Sequence, residues 1–143
     1  MINKLKTESH LSSEEIVAKL EELTTGLYYQ SESDYPVEVV HYNTVLPDPL
    51  TEEALVTLTG STTEMPVEVT DLASFFRHVI KPDYTVSQAN SAPPQMVALQ
   101  IFCEQYLQDI NVYQIGRRTL TALLLGRSSE GELLGLKTTI VQT

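Results

Sequence analysis

Glu32 and Asp34 stand two residues apart in the run Ser31, Glu32, Ser33, Asp34, Tyr35, Pro36. Carboxylates at that spacing suit either of two chemistries: shared acid and base work in a hydrolase, or recognition of a basic surface by fixed anions. Pro36 restricts Tyr35 to an extended backbone and stiffens the turn. Acids held in place lose less entropy when they dock against arginines, and Tyr35 is the type of aromatic anchor in which interface energy concentrates. A third reading is a solvated turn whose serines bond the local backbone and do nothing more.

The other reactive side chains are scattered. His10, His41 and His78 have no metal-ligand neighbour at helical spacing, and the chain has no HExxH, CxxC or calcium-loop pattern, so neither a protein-built metal site nor a cofactor is expected. His41 falls on a strand and reads as a hydrogen-bonded structural histidine. Cys103 lies among Phe102, Tyr106 and Leu107, where apolar surroundings raise a thiol's pKa and leave it inert. There is no GxSxG, phosphate-binding glycine loop or kinase motif set.

Charge is distributed unevenly. From Lys19 to Arg77 there is no intervening Lys or Arg, yet eleven carboxylates lie between Glu21 and Asp71, and the whole chain carries −10. Glu14, Glu15, Glu52, Glu53 and Asp71 are explained as first-turn or capping acids. Glu32, Asp34, Glu38, Asp48, Glu64 and Glu68 serve no such cap. A field of this sign repels nucleic-acid backbones and anionic membranes and speeds encounter with basic proteins. No run of eighteen apolar residues occurs, and no apolar stretch follows Lys4 and Lys6, so a cytoplasmic protein is expected. One cysteine forms no internal disulfide.

The elements that must position these groups are read from caps and periodicity. Ser12 and Glu15 form a capping box, with Leu11 and Ile16 as its staple, opening a helix to Gly26 whose stripe is Ile16, Val17, Leu20, Leu23 and Leu27. A strand follows over 37–42, then a short helix over 51–58 and a strand over 67–70. Asp71 caps a helix that turns Leu72, Phe75, Phe76 and Val79 inward. Beyond a loop over 84–92, Ser91 and the two prolines Pro93 and Pro94 open a long helix whose apolar side extends from Met96 through Leu107 to Ile110. Strands then fall at 112–115, 119–126 and 133–141, the last two forming a hairpin, with Thr143 closely behind. This order predicts an α+β or three-layer α/β/α domain over 11–143, built on a largely antiparallel sheet, after a flexible extension at 1–10.

At this point the residues resemble a known family. Gly26, Leu27, the run Ser31 to Pro36, Glu38 and Val39, with Ser74, Phe75 and Phe76 and the tail from Val112 through Gly126, Gly131 and Gly135 to Thr143, are similar to the nuclease A inhibitor family. The likeness spans 16–143 and is most specific over 26–39 and 112–143. It implies a PR-1-like α/β/α sandwich whose mainly antiparallel sheet is covered by helices. It further implies a non-catalytic inhibitor that plugs a sugar-nonspecific endonuclease of the ββα-metal type, with its Mg²⁺.

In the family's S-E-S-[DE]-Y-P turn the first acid meets the nuclease's active-site arginines, a role that carries to Glu32. The C-terminal Thr reaches the nuclease's Mg²⁺, which carries to Thr143. Asp34 and Tyr35 would flank that contact with Ser31 and Ser33, and Glu38 and Glu68 would steer encounter. The chain departs from the family at Asp34, where Glu is also seen, in a longer N-terminus, and in the loops 43–64 and 81–91. The implied complex is 1:1 with a monomer, without direct nucleic-acid or membrane binding. Two rivals stand beside it: an acidic interaction module of the same fold for another basic partner, and a hydrolase using Glu32 with Asp34.

Overall fold

The computed structural model describes residues 11–42, 54–55, 66–81 and 94–142. The expected extension at 1–10, most of the loops 43–64 and 81–91, the Ser91 cap and Thr143 lie outside those residues.

Helix α1, Ser13–Thr24, starts as its sequence dictates. The Ser12 hydroxyl accepts from the Glu15 amide at 3.1 Å, and Glu15 Oε1 accepts from the Ser12 amide at 2.8 Å, so two otherwise orphaned donors are satisfied. Its buried face is Ser13, Ile16, Leu20 and Thr24, so two hydroxyl residues share the apolar stripe. Both are bonded: Ser13 Oγ to Ser128 Oγ at 2.7 Å, and Thr24 Oγ1 to the Leu20 carbonyl at 2.8 Å. The far end of α1 has no basic residue. Instead, the Gln95 amide donates to the carbonyls of Leu23 at 2.6 Å and Thr25 at 2.7 Å.

Strands β1 (Tyr28–Tyr29) and β2 (Tyr35–Pro36) follow, then β3 (Glu38–Tyr42), β4 (Val67–Thr70), helix α2 (Leu72–Arg77) and β5 (Val79–Ile80). Helix α3 (Pro94–Tyr106) leads into β6 (Gln108–Gly116), β7 (Thr119–Arg127) and β8 (Leu133–Val141). Two antiparallel sheets result, a small one in the order β2-β1-β5 and a five-stranded one in the order β3-β8-β7-β6-β4.

Period-two alternation sends the large sheet's side chains to two faces. Val112, Leu124 and Leu136 are in register across β6, β7 and β8 and join Leu20, Phe75 and Leu99 in one core. Their neighbours Tyr113, Ile115, Leu123 and Leu125 form a second core with Leu55, half of the helical pair Ala54–Leu55. A sheet apolar on both faces reads as an unbroken run, which is why Leu123, Leu124 and Leu125 are all buried. Full burial of each contributes about 1.5–3 kcal/mol. Gly135 lets β8 approach β7, since a Cβ there would collide with the Leu124 carbonyl.

The described residues therefore make an α+β architecture of antiparallel sheets with helices α1, α2 and α3. Among the described residues no helix is long and apolar enough to cross a membrane.

Two expectations need correction, and two short strands had not been anticipated. Helix α2 stops at Arg77, and Val79, expected on its inward face, instead pairs with Tyr29 in the small sheet. Two β-branched residues beside an open strand edge favour that outcome. Ile110, expected in α3, lies in β6, which begins straight after the helix. The transition is made by Asp109 at φ 54 and a register shift between Gln108 and Asn111. Finally, β1 and β2, of two residues each, are too short to leave a period in the sequence.

Candidate functional site

The acidic run is the loop of a β-hairpin. Tyr28 pairs with Pro36 and Tyr29 with Tyr35, which leaves residues 30–34 to reverse the chain. Pro36 lies in the edge strand of the small sheet, where a missing N–H disturbs no ladder. Within the loop the Ser31 hydroxyl donates to the Ser33 carbonyl at 2.7 Å, and the Ser31 amide makes a longer contact of 3.4 Å to Asp34 Oδ1. Ser31 and Asp34 thus shape the turn.

The loop is also held from outside. The Glu32 amide donates to the Val141 carbonyl at 3.1 Å, and the Val141 amide donates to Ser31 Oγ at 3.1 Å. The buried Thr138 hydroxyl donates to the Pro36 carbonyl at 3.0 Å. On the other side the Gln30 amide donates to the His78 carbonyl at 2.8 Å. The loop is therefore fastened between the end of β8 and the junction of α2 with β5.

A cleft of about 390 Å³ opens where these elements meet, lined by Ser31, Glu32, His78, Gln114, Val141 and Gln142 among others. Of the residues singled out in the sequence, Ser31 and Glu32 reach this cleft and the end of β8 joins them. Ser33, Asp34 and Tyr35 are exposed on the loop but are not among its walls. Glu38 is elsewhere, opposite Lys137 in the β3–β8 ladder. Glu68 lines an adjoining cleft. Glu32 and Asp34 are both exposed, and of the two only Glu32 lines this cleft.

His78, Gln114 and Gln142 were not legible as site residues. His78 stacks on Tyr29 with centroids 5.2 Å apart and planes at 19°. Its Nδ1 lies 3.0 Å from the Ser74 carbonyl, an acceptor, so Nδ1–H donates there. Burial raises the Tyr29 hydroxyl above its ordinary pKa of 10.0. The glutamines carry no sequence signal of their own, since only the sheet register brings them beside the loop.

The expected structural role of His41 agrees with the geometry: its Nε2 lies 2.6 Å from Glu132 Oε1. Nearby, the Ser13 amide donates to Glu130 Oε1 at 2.9 Å, and that bond holds the Glu130 carboxyl below its ordinary 4.5. Ser13 Oγ is engaged by Ser128 Oγ rather than by the imidazole, so no activated nucleophile is assembled there. Cys103 is buried as expected, and desolvation pushes its thiol up to about 12, with a smaller contribution from Glu104.

Fold and loop together define a class: a small α+β domain that presents a stiffened acidic hairpin loop beside the end of its last strand. The nuclease A inhibitor-like protein family matches residues 14–143, and the chain belongs to it. Membership implies nuclease inhibition as the general activity and a nuclease as partner. A search of curated proteins finds no match for the chain.

Proposed function

We propose that this protein is a non-catalytic, stoichiometric inhibitor of a sugar-nonspecific, Mg²⁺-dependent endonuclease of the ββα-metal type. Glu32 acts as phosphate surrogate against the nuclease's arginines, flanked by Asp34 and Tyr35, with Ser31 and Ser33 supporting the loop. Thr143 is directed to the partner's Mg²⁺, and Glu38 and Glu68 steer approach.

The observation that carries this reading is the pair of hydrogen bonds between Val141 and the Ser31–Glu32 backbone segment and hydroxyl. Thr143 follows Val141 by two residues, a span of about 7 Å at most. Glu32 and the chain end are therefore within reach of the same partner groups. A carboxylate on a stiff turn can take a phosphate's place against guanidinium groups, and Mg²⁺ favours oxygen ligands while keeping several waters. The loop is pre-tied, so docking costs little further ordering.

An activity titration of a Mg²⁺-dependent nonspecific nuclease tests the proposal. Digestion stops near one equivalent of inhibitor, and Glu32→Ala needs far more. Full-speed digestion at large molar excess of the unaltered protein sinks it. In that event, capture of a basic protein other than a nuclease would favour the interaction-module reading. The hydrolase reading draws no support from the geometry, because Asp34 is turned to the loop's own Ser31 amide.

A further inference from the structure

Arg117 and Arg118 form the one pair of adjacent cations in a chain of net charge −10. They occupy the turn between β6 and β7, and both are exposed. Among the described residues neither takes part in an ion pair. The turn is fixed without its side chains. Gly116 sits at φ +129, where a Cβ would crowd the Thr119 carbonyl. Its amide donates to the Pro66 carbonyl at 3.1 Å, and the Gln142 amide donates to the Arg118 carbonyl at 2.8 Å. The fold would thus form this turn with almost any exposed residues at the two positions.

Their location gives the arginines a different significance. Arg117 lines a cleft of about 210 Å³ with Glu68, Gln114 and Gln142, and the same two glutamines line the Glu32 cleft. The clefts adjoin through Gln114 and Gln142, which line both. Val141 is bonded to the acidic loop along one edge, and Gln142 to the arginine turn along the other. Two strand spacings put the Glu32 and Arg118 backbones roughly 10 Å apart. A protein covering Val141 and Gln142 therefore meets an anionic loop and a cationic turn together.

We propose that this docking face is bipolar, and that Arg117 and Arg118 contact a carboxylate-bearing patch of the partner that borders the basic groups receiving Glu32. The inference rests on the inhibitory reading above and specifies its partner further. A partner surface of uniform positive charge would be repelled at this turn. Guanidinium groups on a rigid turn are well suited to bidentate pairing with carboxylates, and arginine is enriched where interfaces concentrate their energy.

Association and dissociation rates with an inhibited Mg²⁺-dependent nuclease test this, using the unaltered protein, Glu32→Ala, Arg117→Ala/Arg118→Ala and Arg117→Glu/Arg118→Glu, at low and physiological salt. The double alanine variant is expected to associate roughly tenfold more slowly at low salt, with a smaller difference at physiological salt. The charge-reversed variant is expected to be slower still, with thermal midpoints unchanged. Unchanged or faster association of the arginine variants overturns the inference, the faster result being that of a uniformly basic partner. If the unaltered protein inhibits and Glu32→Ala weakens it while the arginine variants do not, only this inference falls. If the unaltered protein inhibits no such nuclease, the functional reading falls and takes this one with it.

Discussion

Glu32 is positioned through its own amide, which donates to the Val141 carbonyl, so replacing its side chain leaves the anchoring bond in place. For Glu32→Ala, inhibition is expected to weaken by about 2 kcal/mol or more, the usual cost of removing one partner of a desolvated charge pair, and the unfolding midpoint of the same variant separates a binding loss from a folding loss. Removing Thr143, or extending the chain beyond it, is expected to weaken inhibition only while the nuclease carries Mg²⁺. Parallel titrations of the metal-loaded and metal-free nuclease for binding would read this, and equal losses in both would refute a metal-directed end. Glu32 was visible in the sequence because its neighbours are: a serine-rich acidic run before Tyr35 and Pro36 is a local pattern. His78, Gln114 and Gln142 have no local pattern, and they join the cleft only because three separate elements converge on it.

At the scale of elements, the pairing of β7 with β8 sustains both cores, and at Gly135 it leaves no room for a Cβ. Gly135→Ala forces a methyl group into the Leu124 carbonyl and is expected to cost about 3 kcal/mol or more, measured by denaturant unfolding. Two carboxylates stiffen helix starts. Asp71 accepts from the Ser74 amide at 2.8 Å at the head of α2, and the Ser74 bonds hold its carboxyl below its ordinary 3.8. Glu130 does the same for α1 through the Ser13 amide, below its ordinary 4.5. A depressed folded-state pKa gives stability that is present above the unfolded value and lost as pH falls through the folded one. The thermal midpoint is therefore expected to hold above those ordinary values and to drop below them, and Asp71→Asn with Glu130→Gln to flatten the drop. The Asp71 cap was legible, being a short polar residue before a helix-period run. The Glu130 clip was not, because it joins residues 117 positions apart.

For the whole molecule, the net −10 is a statement about encounter rather than fold. Association of the unaltered protein with a basic nuclease site is expected to slow steeply between about 10 mM and 0.15 M salt as the Debye length contracts from roughly 30 Å to 8 Å, with dissociation much less affected. Stopped-flow mixing checks this, and a salt-independent rate would remove steering from the mechanism. Helices α1 and α3, strands β3 and β4 and the three long strands were largely determined by the sequence alone, since caps, 3.6-residue stripes and period-two runs act between neighbours in the chain. The acidity of the loop and the inert setting of Cys103 were legible for the same reason. The tertiary structure alone decided that the loop at residues 30–34 lies against the end of β8, and that the Arg117–Arg118 turn flanks it from the other edge. Those contacts are hydrogen bonds between residues as much as 110 positions apart, and bonds over such a separation leave no periodic trace along the chain.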